Sequence, residues 1–156
     1  MNYRYSLYLI VGIFLISSCS FNQLYLDQDI RKNYLIDVDD SVPISIKQDL
    51  MWLFDNSKIE DKEYKKRINV SNFSYEEYIV YGGSHLRSLE GEVVSIIELE
   101  ISSLQETKNK SIRITGRYKS NELNPHAEKE IVKSLKENIY NQILDEILLE
   151  VKLFEM

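Results

Sequence analysis

The sequence predicts an α+β two-layer sandwich: a four-stranded, mostly antiparallel sheet covered on one face by two helices, in the order β-α-β-β-β-α. Three observations lead there. From Ala127 onward an apolar residue recurs every fourth position, as on one face of a helix. The region before it alternates apolar and charged residues, the period of half-buried strands. A shorter helical pattern starts near Ile44, after a β-rich hexapeptide. The length of 156 residues suits one domain, and 44% hydrophobic residues are enough for a core.

The elements follow in chain order. NYLIDV, Asn33 to Val38, is the first strand. Asp40, Ser41 and Pro43 bring helix-start chemistry, since oxygen-bearing side chains accept from free backbone N–H groups and proline is tolerated in a first turn. The helix runs from Ile44 to about Asn56, with Ile46, Leu50, Leu53 and Phe54 on its apolar face. Trp52 falls off the centre of that stripe. The pattern favours packing of Trp52 over the sheet edge; the other reading is an exposed anchor for a partner.

Tyr64 to Phe73 alternates and predicts a second strand, and Tyr81 to His85, with Gly82 and Gly83, predicts a turn. From Leu89 to Ile101 the odd positions are mostly apolar, while Glu90, Glu92, Glu98 and Glu100 mark the even ones. Gln105 to Lys110 reads as a polar hairpin loop and Ser111 to Lys119 as the last strand of an antiparallel meander. The basic face of that strand complements the glutamates before it, and such cross-strand pairs contribute ~0.2–1 kcal/mol each. The final helix spans Pro125 to about Lys152, opened by Asn124 as its cap. Its stripe is Ala127, Ile131, Leu135, Ile139, Ile143, Ile147 and Val151, widened by Val132, Tyr140, Leu144 and Leu148. Mixed charges on its polar side favour a core-facing helix over a membrane-surface one. Helices on one side leave the other sheet face polar.

The N-terminus reads as an address. Arg4 precedes twelve uncharged residues, YSLYLIVGIFLI, then Ser17, Ser18 and the single cysteine, Cys19. That is the layout of a secretory signal, and the apolar run is shorter than the ~20 residues a bilayer-spanning helix needs. The ending Ile16-Ser17-Ser18-Cys19 resembles the bacterial lipobox. The resemblance implies a diacylglycerol on the Cys19 thiol, cleavage between Ser18 and Cys19, and acylation of the new amino group. Residues 1–18 are then a lipoprotein signal peptide, 19–32 a lipidated tether and 33–156 the sandwich domain. Ser20 after the cysteine, by resemblance to sorted bacterial lipoproteins, implies the outer membrane.

Chemistry is sparse elsewhere. A single cysteine leaves no intrachain disulfide and no thiolate cluster. His85 and His126 have no carboxylate or cysteine at ligand spacing, so no metal and no cofactor are expected. No nucleophile elbow, phosphate loop or zinc-protease motif occurs, which favours a binding or assembly protein over an enzyme. The chain carries a net charge of −6; without Arg4 the part from Cys19 onward has 18 basic and 25 acidic residues, or −7. That argues against nucleic acid as a partner.

The whole layout resembles the LPS-assembly lipoprotein LptE family, in the short form found in alphaproteobacteria. CSFNQLY carries Phe21, Leu24 and Tyr25 where the family has a Phe and a Leu-Tyr pair after its lipid cysteine, while Ser20 and Gln23 depart from it. LIDVDDSVPISIKQDLMWLF resembles its first strand and helix, LEGEVVSIIELE its central strand, and YKSNELNPHAEKEIVKSLKENIYNQILDEI its closing strand and final helix. His126 stands at an aromatic place.

The resemblance implies a plug inside the outer-membrane β-barrel LptD, helping it assemble and inserting lipopolysaccharide into the outer leaflet. It also implies that the protein binds lipopolysaccharide itself. No contact residue carries over from the family. By chemistry alone the candidates for this polyanion are Lys108 and Lys110 in the hairpin, then Arg113, Arg117 and Lys119 on the strand. The alternative for these five is a solubilising loop with cross-strand pairing to Glu98 and Glu100. A second function class is an auxiliary lipoprotein of an ABC-type lipid transport system, and the weakest is a periplasmic enzyme.

Overall fold

The computed structural model describes residues 33–54, 66–81, 88–120 and 124–156. The order is β1 (Tyr34–Val38), α1 (Ile44–Phe54), β2 (Lys66–Tyr81), β3 (Ser88–Ser103), β4 (Thr107–Lys119) and α2 (Pro125–Phe154). The strands lie side by side as β1-β2-β3-β4, with β1 parallel to β2 and the other pairs antiparallel. A parallel neighbour requires a crossover, and α1 lies within the connection that supplies it. This is the expected β-α-β-β-β-α sandwich, with both helices contributing to a single core.

Alternation places the core. In β3 the odd positions Val93, Ile97, Leu99 and Ile101 are buried, and in α2 so are Ile139, Ile143, Ile147 and Val151. Ile46, Leu50 and Phe54 of α1 close the layer over β1, where the Tyr34 and Phe54 rings meet edge to face at 6.4 Å. Two glycines allow close approach. A Cβ on Gly91 would stand 2.1 Å from the Tyr118 ring, and one on Gly116 would stand 2.6 Å from Leu135. The stripe on α2 fades toward its start, where Ile131 is half-exposed.

Several expectations need correction. The second strand is far longer than Tyr64 to Phe73, because a bulge lets it continue. Ser71 pairs with Glu98 but Ser74 pairs with Ile96, so β2 holds one extra residue there, and Asn72 takes φ 52°. The extra residue reverses the parity: Ile68 and Val70 face the helices before it, Phe73 and Tyr75 after it. Tyr81 therefore ends a strand rather than opening a turn; Gly82 to His85 lie outside the described residues, as do Tyr64 and Asn56. Ser41 does not cap α1. Its hydroxyl donates to Asp39 Oδ2 at 3.2 Å and accepts from the Phe73 amide at 3.1 Å, tying the helix approach to the bulge. Asn124 does cap α2, with Oδ1 accepting from Ala127 N at 3.1 Å. The hairpin loop is shorter than Gln105 to Lys110, since β4 already begins at Thr107.

The sandwich has two distinct ends. At the proximal end the chain enters at Asn33, Tyr34 pairs with Lys66, and Lys66 pairs with Ser103 beside the β3–β4 turn. The C-terminus of α2 joins them: the Tyr34 hydroxyl donates to Glu155 Oε1 at 2.6 Å, and Lys66 Nζ reaches both Glu155 oxygens at 2.7 Å. The distal end holds Tyr81, Ser88, Lys119 and the start of α2.

Candidate functional site

Register and burial sort the basic residues of β4 into two groups. Lys108 and Lys110 share the helix-covered face with Ile112 and Tyr118, because alternate residues of a strand point the same way. They are not loop residues, as the sequence had suggested. Both reach Glu150, Lys108 at 3.0 Å and Lys110 through a direct hydrogen bond to Oε1. Glu150 is a buried acid on α2, and its side chain is only 5% exposed. Burial alone would raise its carboxyl pKa; the bonds and charges of Lys110 and Lys108 outweigh that and hold it below the usual glutamate range. These two lysines therefore lock α2 onto the edge strand.

Arg113, Arg117 and Lys119 project from the opposite, open face. The expected partners Glu98 and Glu100 are not theirs. Glu98 stands opposite Ser111 and accepts from Asn72 Nδ2 at 2.6 Å, while Glu100 stands opposite Asn109. Arg117 instead pairs with Glu92, Nε to Oε2 at 2.7 Å, directly across the strands, and Lys119 faces Glu90 in register. Arg113 faces Ile96, and neither Arg113 nor Lys119 forms an ion pair among the described residues. The open face is thus a lattice in which β3 carboxylates run beside β4 cations, with Thr115 between Arg113 and Arg117. It also bears Val94, Ile96, Tyr78 and Val80, so it is less uniformly polar than expected. A shallow depression on it, beside the bulge, is lined by Ser71, Glu98, Glu100, Asn109 and Ser111.

Two tyrosines are structural donors. Tyr118 crosses the cleared surface of Gly91 so that its hydroxyl donates to Glu77 on β2. Burial, and then the contacts with Glu155 and Glu77 respectively, push the pKa values of Tyr34 and Tyr118 well above the ordinary tyrosine value. Cys19, Ser18, the tether and His85 lie outside the described residues. His126 is exposed at the start of α2, and no group of three or more His, Cys, Asp or Glu side chains that could hold a metal occurs among the described residues.

Trp52 is the residue on which the sequence misleads most. It does not pack over the sheet edge: it is 80% exposed, and Met51 beside it is also exposed.

The geometry defines a class: a small, open α+β sandwich with two helices on one face and a charged lattice on the other. Solved structures similar to it include bacterial lipoproteins. Rare lipoprotein B from Shewanella oneidensis superposes with a TM-score of 0.64 at 17% identity, covering 78% of this chain and 95% of that one. Lipoprotein B from Nitrosomonas europaea gives 0.64 at 16%, covering 84% and 91%. A minor lipoprotein from Acinetobacter baumannii gives 0.59 at 9%, covering 80% and 93%. At such identities the likeness is one of fold. No protein-family model and no curated protein matches the chain.

Proposed function

We propose that the protein is a lipoprotein of the outer membrane, anchored by acyl chains on Cys19, that plugs and helps assemble an LptD-type β-barrel inserting lipopolysaccharide into the outer leaflet. The observation that carries this reading is the fold. The same sandwich, nearly end to end, belongs to the lipoproteins B of Shewanella oneidensis and Nitrosomonas europaea, of which 95% and 91% are covered. The lipobox-like stretch ending at Cys19 supports it independently, because it implies the same attachment without reference to fold.

The open face suits the role. A plug needs a rigid body whose outer surface meets a polar lumen, and a twisted sheet with a charged lattice provides one. Arg113, Arg117 and Lys119 are the β4 cations free of the helix layer and are the favoured contacts for lipopolysaccharide. Lys108 and Lys110 are engaged by Glu150. The role requires no catalytic group.

Affinity capture of the tagged full-length chain from solubilised outer membranes tests the proposal. Recovery of an LptD-like barrel in stoichiometric amount is expected; repeated capture without any barrel would sink it. A Cys19→Ala variant should lose palmitate labelling and accumulate as uncleaved precursor, and a labelled mature band from that variant would refute the anchor.

A further inference from the structure

Among the described residues Ile44, Tyr78, Ile79, Val80 and Ile131 are exposed apolar side chains elsewhere on the domain, but five others gather at one end. Met51 and Trp52 lie in the last turn and a half of α1, one turn from Phe54, whose ring meets Tyr34. Leu104 occupies the β3–β4 turn next to Ser103, which pairs with Lys66. Leu153 and Met156 flank Glu155, which binds both Tyr34 and Lys66. These five residues come from three separate parts of the chain and share the proximal end. Trp52, Leu104 and Met156 are 80%, 79% and 93% exposed. Isolated exposed apolar residues need no explanation, but a rim of them at one end does.

What covers this rim is argued from where the chain enters. Asn33 is at the same end, and Cys19 stands fourteen residues earlier. If Cys19 is acylated, the proximal end is the part of the sandwich nearest in sequence to the bilayer. Tryptophan is the side chain most at home at a membrane–water boundary, where its ring is buried and its N–H stays wet. Of the nearby cations, Lys66 is matched by Glu155, and Lys108 and Lys110 by Glu150, which leaves Arg67 and Lys152 facing solvent.

From this we infer that the proximal rim of Met51, Trp52, Leu104, Leu153 and Met156 is a lipid-contact surface. It dips into the headgroup boundary beside the anchor and sets the lipidated sandwich proximal end down on the bilayer before a barrel encloses it. The inference rests on the lipoprotein reading and adds an orientation to it. The contact is apolar and on zwitterionic lipid does not depend on salt; Arg67 and Lys152, exposed at this end and without an ion pair among the described residues, add attraction only where the lipid is anionic.

Trp52 is the only tryptophan in the chain, so its fluorescence reports on the rim directly. The full-length lipidated protein is reconstituted in phosphatidylcholine vesicles with or without bromine on the acyl chains. Bromine should quench Trp52 emission by about half, as for an interfacial ring, equally at low and high salt. A Leu104→Gln/Leu153→Gln variant alters only exposed positions; its thermal unfolding should match the parent while the quenching falls. Labelled protein that floats with the vesicles but shows unquenched Trp52 overturns the inference and leaves the anchor standing. So does a Trp52 that becomes shielded only when a β-barrel is co-reconstituted, which would make the rim a protein-docking surface. Protein that neither takes up palmitate nor floats overturns the lipoprotein reading, and the inference with it.

Discussion

Glu150 shows how a single residue decides what its neighbours can do. It sits among Ile147, Leu148 and Val151 on the buried side of α2, where an unpaired carboxylate would be strongly disfavoured. Lys108 and Lys110 compensate it from β4. Its folded-state pKa lies below the ordinary value of 4.5. A depressed carboxyl stabilises the fold fully above its unfolded pKa and loses that contribution as pH falls through the folded one. Acid titration of the parent should therefore show a loss of stability that starts just below pH 4.5. Glu150→Gln should lower stability at neutral pH by about 1 kcal/mol, a figure discounted because both lysines are partly exposed. The same variant should flatten the acid limb. Urea unfolding across the pH range checks both, and a variant with an unchanged acid limb would show that Glu150 is not its source.

At the scale of elements, the bulge in β2 is the feature on which the sheet turns. By inserting one residue it keeps Phe73 and Tyr75 on the core side after Ile68 and Val70, where unbroken alternation would have turned them out. Phe73 can then meet Tyr140 of α2 edge to face at 5.9 Å, with Lys136 over the Tyr75 ring at 4.7 Å. Asn72 holds the bulge with positive φ and a hydrogen bond to Glu98. A β-branched residue is strained in that conformation, so Asn72→Val should cost about 1–2 kcal/mol in thermal or urea unfolding. Asn72→Gly should lose less, because glycine adopts the same φ freely. Equal losses would mean that the bonded side chain, and not the backbone, matters there. The bulge also explains what the sequence left unread. β3 and α2 keep one period throughout, so their buried faces could be read directly. β2 changes phase at Asn72, and its second half loses the alternation that would identify it. The wholly polar run Gln105 to Lys110 has the composition of a loop; the clue that Lys108 and Lys110 belong to a strand lies far away, in an acid set within the apolar stripe of α2. Trp52 misleads because α1 carries apolar residues beyond its stripe, Ile44, Met51 and Trp52 among them, and periodicity alone does not say which are covered.

For the molecule as a whole, the two faces of β4 separate stability from recognition. Among the described residues the edge strand has no neighbour on its outer side, and long charged side chains on such an edge discourage unwanted strand pairing. On the helix face those charges are spent internally, on Glu150. On the open face Arg113 and Lys119 have no ion-pair partner among the described residues, and Arg117 shares an exposed bridge with Glu92. A polyanion approaching the open face meets three cations at alternating and near-alternating positions of a rigid strand, with little reorganisation needed. Neutralising them together, as Arg113→Gln/Arg117→Gln/Lys119→Gln, should weaken binding of purified lipopolysaccharide about tenfold or more, a change of roughly 1.4 kcal/mol. Its thermal stability should stay close to the parent's, since exposed pairs contribute only ~0.2–1 kcal/mol. Lys108→Ala/Lys110→Ala should behave in the opposite way, with lower stability from a stranded Glu150 and nearly unchanged affinity in the folded fraction. Binding isotherms and melting curves measured on both variants separate the two faces. If the lysine pair proved to control affinity and the open-face triplet did not, lipopolysaccharide would have to be met at the proximal end, and the division of β4 into a structural and a recognition face would fall.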